Sequence, residues 1–383
     1  MNKSTHCYDV IIIGAGPSGS TAAFILANRG FKVLVIDKHK FPRHKLCAGL
    51  LTWKTIKVLE DVFQTDLNFL KSQKIIQYQS LNYAIHNKKK ELIKGEMDFP
   101  YHFVDRKIYD KFWLDKAGKA GAKVLTGEKV LSIDIKNSKV KTDKDNIFKA
   151  KFLLGADGVL SRTRNTLIKA GFIKNKWSAC LATALEIFIP RQECPSFPDY
   201  PIIYFGYIPW GYAWSFPGAD NQVLGICGLN RKVKGRFKEC FYNFLKNQPV
   251  SESKDLNLKG HPLPYGNYLT KPGYNNILLL GDACGLADPL LGEGIYYAHK
   301  SGELAAKAVL ESYNIPDNAL KIYKKLLNKS LIIELKYAKI WRQIVFSIFS
   351  IFNYKPLPMF MRINQRAFEE IIHGQRSFKW WNL

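Results

Sequence analysis

Six consecutive residues, Gly14-Ala15-Gly16-Pro17-Ser18-Gly19, are of the types that let a backbone turn sharply and present free amides to an anion. Residues 8–13 before them form a continuous apolar run rich in β-branched side chains, as a parallel strand covered on both faces requires. Residues 20–29 have helical composition, Gly30 stops them, and residues 32–36 are a second apolar run ending in Asp37-Lys38. Gly14 permits the tight turn, Gly16 lets the backbone approach a pyrophosphate, and Gly19 lets helix and sheet pack closely. Pro17 and Ser18 open the helix, whose unpaired N–H groups and positive dipole end favour a diphosphate. Asp37, with Lys38 beside it, can accept hydrogen bonds from ribose hydroxyls. A glycine triplet alone is weak evidence, but a strand, glycine turn, helix, strand and acid in succession read as a dinucleotide site.

NAD and FAD share that fingerprint, so later segments must choose between them. Residues 151–154 read as a strand entering Gly155-Ala156-Asp157-Gly158, with Ser161 and Arg164 after it. Residues 276–280 run into Gly281-Asp282-Ala283-Cys284-Gly285, followed by Pro289 and Gly292-Glu293-Gly294. A carboxylate at a strand end suits a row of sugar-like hydroxyls, and glycines beside it admit a flat ring. Residues 294–306 are helix-like, which places the N–H groups around Gly294 and Ile295 where they can meet developing negative charge. Phe103-Val104-Asp105-Arg106 opens another helix.

In type and order these segments resemble those of the group A flavoprotein monooxygenases and the para-hydroxybenzoate hydroxylase fold. Three phrases narrow the resemblance to the geranylgeranyl reductase family: Phe41-Pro42-Arg43-x-Lys45-x-Cys47-Ala48-Gly49, Tyr212-Ala213-Trp214-Ser215-Phe216-Pro217, and Pro289-Leu290-Leu291-Gly292-Glu293-Gly294-Ile295-Tyr296-Tyr297-Ala298. Ala48 departs from the family, which usually has a second glycine there. The resemblance implies FAD as cofactor, Asp282 on its ribityl chain and Arg106 along the dinucleotide. It also implies that Arg43, Cys47, Ala48, Gly49, Asp157, Gly281, Gly292, Gly294 and Ile295 lie around the cofactor.

The implied reaction saturates isolated C=C bonds of an isoprenoid lipid. An isolated alkene has no conjugated carbonyl to accept charge, so such a site needs a proton source and a wall that tolerates a cation. Cys47 is the candidate donor, since a thiol of ordinary pKa about 8.5 keeps its proton near neutrality. A cysteine is also a common small core residue. Trp210, Tyr212, Trp214 and Phe216 alternate, so one strand would turn all four to one face. Such a face fits a substrate tunnel, with Tyr212 and Trp214 at the reacting bond, and it equally fits an ordinary aromatic sheet core. Aromatic rings stabilise a nearby cation by about 0.5–2 kcal/mol each. Halogenases of the same fold carry a related phrase, so monooxygenase or halogenase chemistry stays open, as does a flavin-binding, membrane-associated protein without turnover.

These residues must be positioned by an α/β chain of two lobes. The expected arrangement is a Rossmann-like FAD-binding domain assembled from residues 1–75, 100–175 and 270–315. An antiparallel-sheet substrate domain (76–99 and 176–269) is inserted into it, and a helical region (316–383) follows. Residues 319–352 read as one or two long helices, with an apolar stripe through Tyr337, Ile340, Trp341, Ile344, Val345, Ile348, Phe349 and Phe352. From Asn353 onward, Pro356 and Pro358 suggest a loop, then a short aromatic tail with Trp380-Trp381.

The net charge of +25 attracts anions, and an anionic membrane face fits a lipid substrate. Lysines are scattered and no nucleic-acid-binding motif accompanies them, so nucleic acid is not expected. The seven cysteines are odd in number and lack zinc-ligand spacing, so neither a metal site nor a disulfide framework is expected. Residues 344–352, the longest strongly apolar stretch, fall short of the roughly 20 that a spanning helix needs. The N-terminal apolar run is too short for a signal segment. A cytoplasmic monomer, peripheral on the membrane, is the expected form. Electrons are expected from NADPH or a ferredoxin, since no second dinucleotide motif is visible.

Overall fold

The structure, a computed structural model, describes residues 6–174, 177–250, 257–363 and 365–379. Its centre is the strand His6–Ile13, whose residues from Val10 to Ile13 are almost fully buried. It is flanked in parallel by Val33–Asp37 on one side and Ile147–Gly155 on the other. That double flank is why the segment is apolar at successive positions and not at alternate ones. Lys123–Thr126 extends the sheet beyond Val33–Asp37, and Ile277–Leu279 pairs in parallel with Ile147–Gly155 from the far side. Ile13, Gly155 and Leu279 therefore end side by side, so both acid-bearing turns emerge at one edge.

The helix Pro17–Ala27 covers this sheet and packs on the long helix Ile295–Glu311. The two helices approach closely because Gly302 lies against the Ser18 carbonyl, where any Cβ would collide.

The second sheet is ordered Lys259–Pro264, Leu181–Pro190, Asn221–Leu229, Gly211–Pro217, Ile202–Phe205, Tyr78–Asn87, Lys90–Phe103 and Leu50–Leu51. It is antiparallel except where Ile202–Phe205 runs parallel to Tyr78–Asn87. Leu50–Leu51, from the segment expected in the cofactor lobe, pairs with Lys90–Phe103 and so ties the two lobes together. In Leu181–Pro190 the bulky Leu185, Ile187 and Ile189 face a core closed by the helix Phe237–Leu245, while Ala182, Ala184 and Glu186 take the other face.

The C-terminal region departs from expectation in its last segment. After Ile333–Gln343 the helix continues through the wider turns of Ile344–Phe349, and its apolar stripe divides. Val345 and Phe346 are buried, whereas Ile340, Ile348 and Phe352 are 54%, 51% and 56% exposed. The segment expected as a loop forms the helices Pro356–Ile363 and Gln365–His373. Pro356 and Pro358 both fall in the first turn, where N–H groups have no partner within the helix, so neither proline removes a bond. Trp380 and Trp381 lie outside the described residues. No described helix is long and apolar enough to cross a membrane.

Candidate active site

The turn after His6–Ile13 takes the conformation its glycines allow. Gly14 has φ 105°, and a Cβ there would collide with the Ala156 carbonyl of the neighbouring strand end. Gly19 lies behind the turn against the Gly14 carbonyl and packs the helix down. Gly16 faces outward: a Cβ built on it meets only the Arg43 guanidinium, at 3.6 Å. Asp37 accepts from Ala15 N–H and His39 N–H, each at 2.8 Å, one on each carboxylate oxygen, which leaves lone pairs free for hydroxyls.

These elements border one continuous cavity of about 1150 Å³. That exceeds the roughly 300–1,000 Å³ of a site for one drug-sized ligand. The glycine-turn end carries Gly14, Gly16, Pro17, Ser18, Asp37 and Lys38. Its middle is walled by Arg43, Cys47, Ala48, Gly49, Arg106, Asp157, Asp282, Gly292, Gly294 and Ile295. Tyr212, Trp214 and Phe216 line the end under the second sheet. Gly16 and Asp282 thus open onto the same space. Gly281 sits behind that wall against the Ser18 side chain, and Gly19 is likewise behind it.

Trp210 does not join its three aromatic neighbours. It precedes the strand Gly211–Pro217 with φ 53°, which breaks the alternation, and its ring lies by Phe346 and Lys232. The Tyr212 hydroxyl donates to the Leu291 carbonyl, so the aromatic phrase touches the Pro289–Gly294 turn directly. That turn is held by Glu293, which accepts from Thr52 at 2.6 Å and pairs with Lys54 at 2.5 Å.

Positive charge is gathered on the dinucleotide side. Arg106 forms a two-pronged pair with the buried Asp110 at 2.8 and 3.0 Å, and Arg43 meets the same carboxylate at 3.0 Å. One carboxylate between two guanidiniums leaves a net positive patch beside Gly16, and Arg43 Nε is buried without a partner. A diphosphate fits both features. The Cys47 sulfur accepts from Gly49 N–H at 3.4 Å.

The two later motifs brace each other. Asp157 accepts from Ser161 at 2.5 Å and from Thr163, while Arg164 stacks on Trp177 and donates to the carbonyls of Val159 and Ala283. Asp282 lies near Gly294, the cap of the helix Ile295–Glu311, and the start of that helix lines the cavity with Gly294, Ile295 and Ala298. Hydroxyls and a flat ring suit that corner, so the residues present fit FAD.

A family profile described as an FAD binding domain matches residues 7–191. An uncharacterized protein of Methanosarcina barkeri is 36% identical over 80% of this chain and 75% of its own length. The digeranylgeranylglycerophospholipid reductase of Methanosarcina acetivorans is 29% identical, covering 84% of this chain and 80% of itself. The chain belongs to the FAD-dependent geranylgeranyl reductase family. The structure of a geranylgeranyl bacteriochlorophyll reductase-like protein from Thermoplasma acidophilum superposes with TM-score 0.78 at 23% identity, over 90% of this chain and 89% of that one. Its fold extends to a monooxygenase and a halogenase at TM-scores of 0.65 and 0.69. As a member of this family the protein is a flavin oxidoreductase.

Three polar residues of the cavity carried no assigned role in the sequence. Lys45 Nζ lies 2.8 Å from His261 Nε2; burial lowers the pKa of both, that of His261 to about 4. A neutral His261 therefore accepts from Lys45. Glu186 is buried, which pushes its carboxyl up to about 8. The signal for Glu186 was available, since a lone acid stands on the small-residue face of an alternating strand, but only the cavity shows what that face meets.

Proposed function

We propose that this protein saturates isolated C=C bonds of an isoprenoid lipid. The observation that carries the reading is a cavity continuous from the dinucleotide turn to an apolar end bounded by Tyr212, Trp214, Phe216, Val345, Phe346 and Leu357. A long hydrocarbon chain can lie in that end with one bond brought to the cofactor. Reduced FAD supplies hydrogen together with an electron pair. Gly14, Gly16 and Ser18 cradle the diphosphate, Arg43 and Arg106 neutralise it, Asp37 takes the ribose, and Asp157 and Asp282 hold the far side of the cofactor. Gly294 and Ile295 present helix N–H groups to the charge that reduction places on the ring. Cys47, Tyr212 and Trp214 face the reacting bond, and the two rings temper its positive charge. Named relatives act on lipids of this class, as in the digeranylgeranylglycerophospholipid reductases.

The lipid comes from an anionic bilayer surface, which the enzyme meets as a monomer. Helices whose inner side lines the cavity with Val345, Phe346 and Leu357 expose Ile348, Ile351, Phe352 and Met359 outside. The charge of +25 complements such a surface.

The test is anaerobic incubation of reduced enzyme with a panel of prenyl lipids, followed by mass spectrometry. Gain of two hydrogens per bond is expected. A product formed only with oxygen, carrying added oxygen or halogen, sinks the reading. Flavin bleaching by NADPH or by reduced ferredoxin identifies the electron donor.

A further inference from the structure

Among the described residues, the second sheet turns a single carboxylic acid, Glu186, into the cavity. Its strands align Glu186 with Gly225 and Gly225 with Trp214, so the three stand in one row across the sheet. Gly225 has no side chain, and a Cβ there would collide with the Trp214 ring and with Glu186 Cγ. The acid and the indole therefore meet over the glycine. The adjoining row brings His261, Ala184, Cys227 and Tyr212 to the same wall.

Glu186 is 2% exposed and its Oε2 has no hydrogen-bond partner. Other acids on the cavity wall are already engaged. Glu128 accepts from Thr142 and Asn146, Asp157 accepts from Ser161 and Thr163, and Glu293 accepts from Thr52 and is ion-paired with Lys54. Asp37 is held by two backbone amides, and Asp282 lies on the cofactor side with Gly294. The Cys47 sulfur accepts a hydrogen bond from Gly49 N–H.

We propose that Glu186 is the acid that protonates the alkene carbon, an inference that rests on the site being an alkene reductase. The O–H bond of its carboxyl breaks, and the π pair of the alkene takes the proton to form one C–H bond. The second hydrogen comes from the reduced flavin with its electron pair. The alkene is thereby reduced, the flavin is oxidised by two electrons, and Glu186 is left as a carboxylate that solvent reprotonates between turnovers. An unpaired carboxylate in this position is costly, so the resting group keeps its proton. Lys45 and Arg106 act in the opposite sense and stabilise the carboxylate once it forms. The balance puts the titration near neutrality, where an acid both holds and releases a proton. Trp214, beside the acid, faces the carbon where positive charge builds.

The test uses the FAD-loaded protein. Infrared spectroscopy should find a protonated carboxyl band at neutral pH that fades as pH rises through about 8, moves in Glu186→Asp and is absent in Glu186→Gln. In anaerobic single turnovers Glu186→Gln should slow alkene reduction by about 10² or more with FAD content unchanged, while Glu186→Asp keeps part of the rate. Cys47→Ser should slow it far less. A Glu186→Gln enzyme within twofold of the wild-type rate overturns the proposal, as does a wild type lacking the band. If Glu186→Gln cannot hold FAD, the wild-type rate decides: it should fall above about pH 8 together with the band, and a flat profile overturns the proposal. A wild type that saturates no prenyl lipid sinks the functional reading itself; a competent wild type unaffected by Glu186→Gln sinks only this assignment.

Discussion

The residues closest to the chemistry differ in how much of their role local sequence could express. Gly14 and Gly16 act through their own backbone, so a short window displays their purpose. Trp214 acts through what stands opposite, and its indole Nε1 is buried without a partner. Its contribution is then the π face and not the N–H. Trp214→Phe should keep most of the alkene-reduction rate, whereas Trp214→Leu should lose about 2- to 30-fold, the kinetic equivalent of about 0.5–2 kcal/mol of cation stabilisation. Equal losses in both variants, measured in single turnovers, would point to packing instead. Gly14→Ala has no such latitude: φ 105° and the Ala156 carbonyl together exclude a methyl group, so the purified protein should come without yellow colour.

Elements impose their own logic on the same residues. The strand–turn–helix unit was legible because its periodicity, its glycines and its flanking acid are contiguous. The C-terminal helices were less so, since a proline in the first turn and a proline in a loop look alike in sequence. Their apolar stripe likewise did not reveal which part faces inward. With Ile348 and Ile351 at 51% and 75% exposure, charge placed there should spare the fold and remove the lipid-facing side. The double substitution Ile348→Asp, Ile351→Asp should lower co-sedimentation with anionic vesicles at least about tenfold, because each apolar side chain contributes about 1.5–3 kcal/mol when buried. Reduction of a detergent-dispersed substrate should persist. Unchanged vesicle binding would remove membrane contact from this face.

Across the whole molecule, charge and buried histidines set the response to conditions. The +25 charge predicts vesicle binding that weakens steeply between low and physiological salt, and salt-insensitive binding would contradict an electrostatic component. His102, His261 and His373 are pushed down to about 4 by burial, and His299 to about 3, where it sits 2.7 Å from both Thr21 Oγ1 and Tyr109 Oη. Each folded-state pKa lies below the unfolded value near 6.5, so the unfolded chain binds more protons on acidification. The stability these neutral rings allow is present above about pH 6.5 and is lost as pH falls toward 4. Thermal denaturation should show Tm dropping over that interval. Added FAD should raise Tm, by about 2.7 kcal/mol of stabilisation at a hundredfold excess over Kd.

Residues 8–37 alone were enough to specify a nucleotide-binding strand, turn and helix, because hydrogen-bonding geometry and steric limits there act between near neighbours in the chain. Contiguity is also why the Asp157 and Asp282 turns could be read as strand ends. Tertiary structure decided the rest. Sheet register set Glu186 beside Trp214 across Gly225, a left-handed residue turned Trp210 away, and packing chose which half of the C-terminal stripe meets solvent. Those outcomes depend on contacts between segments far apart in the chain, and no local pattern encodes which partner a face will find.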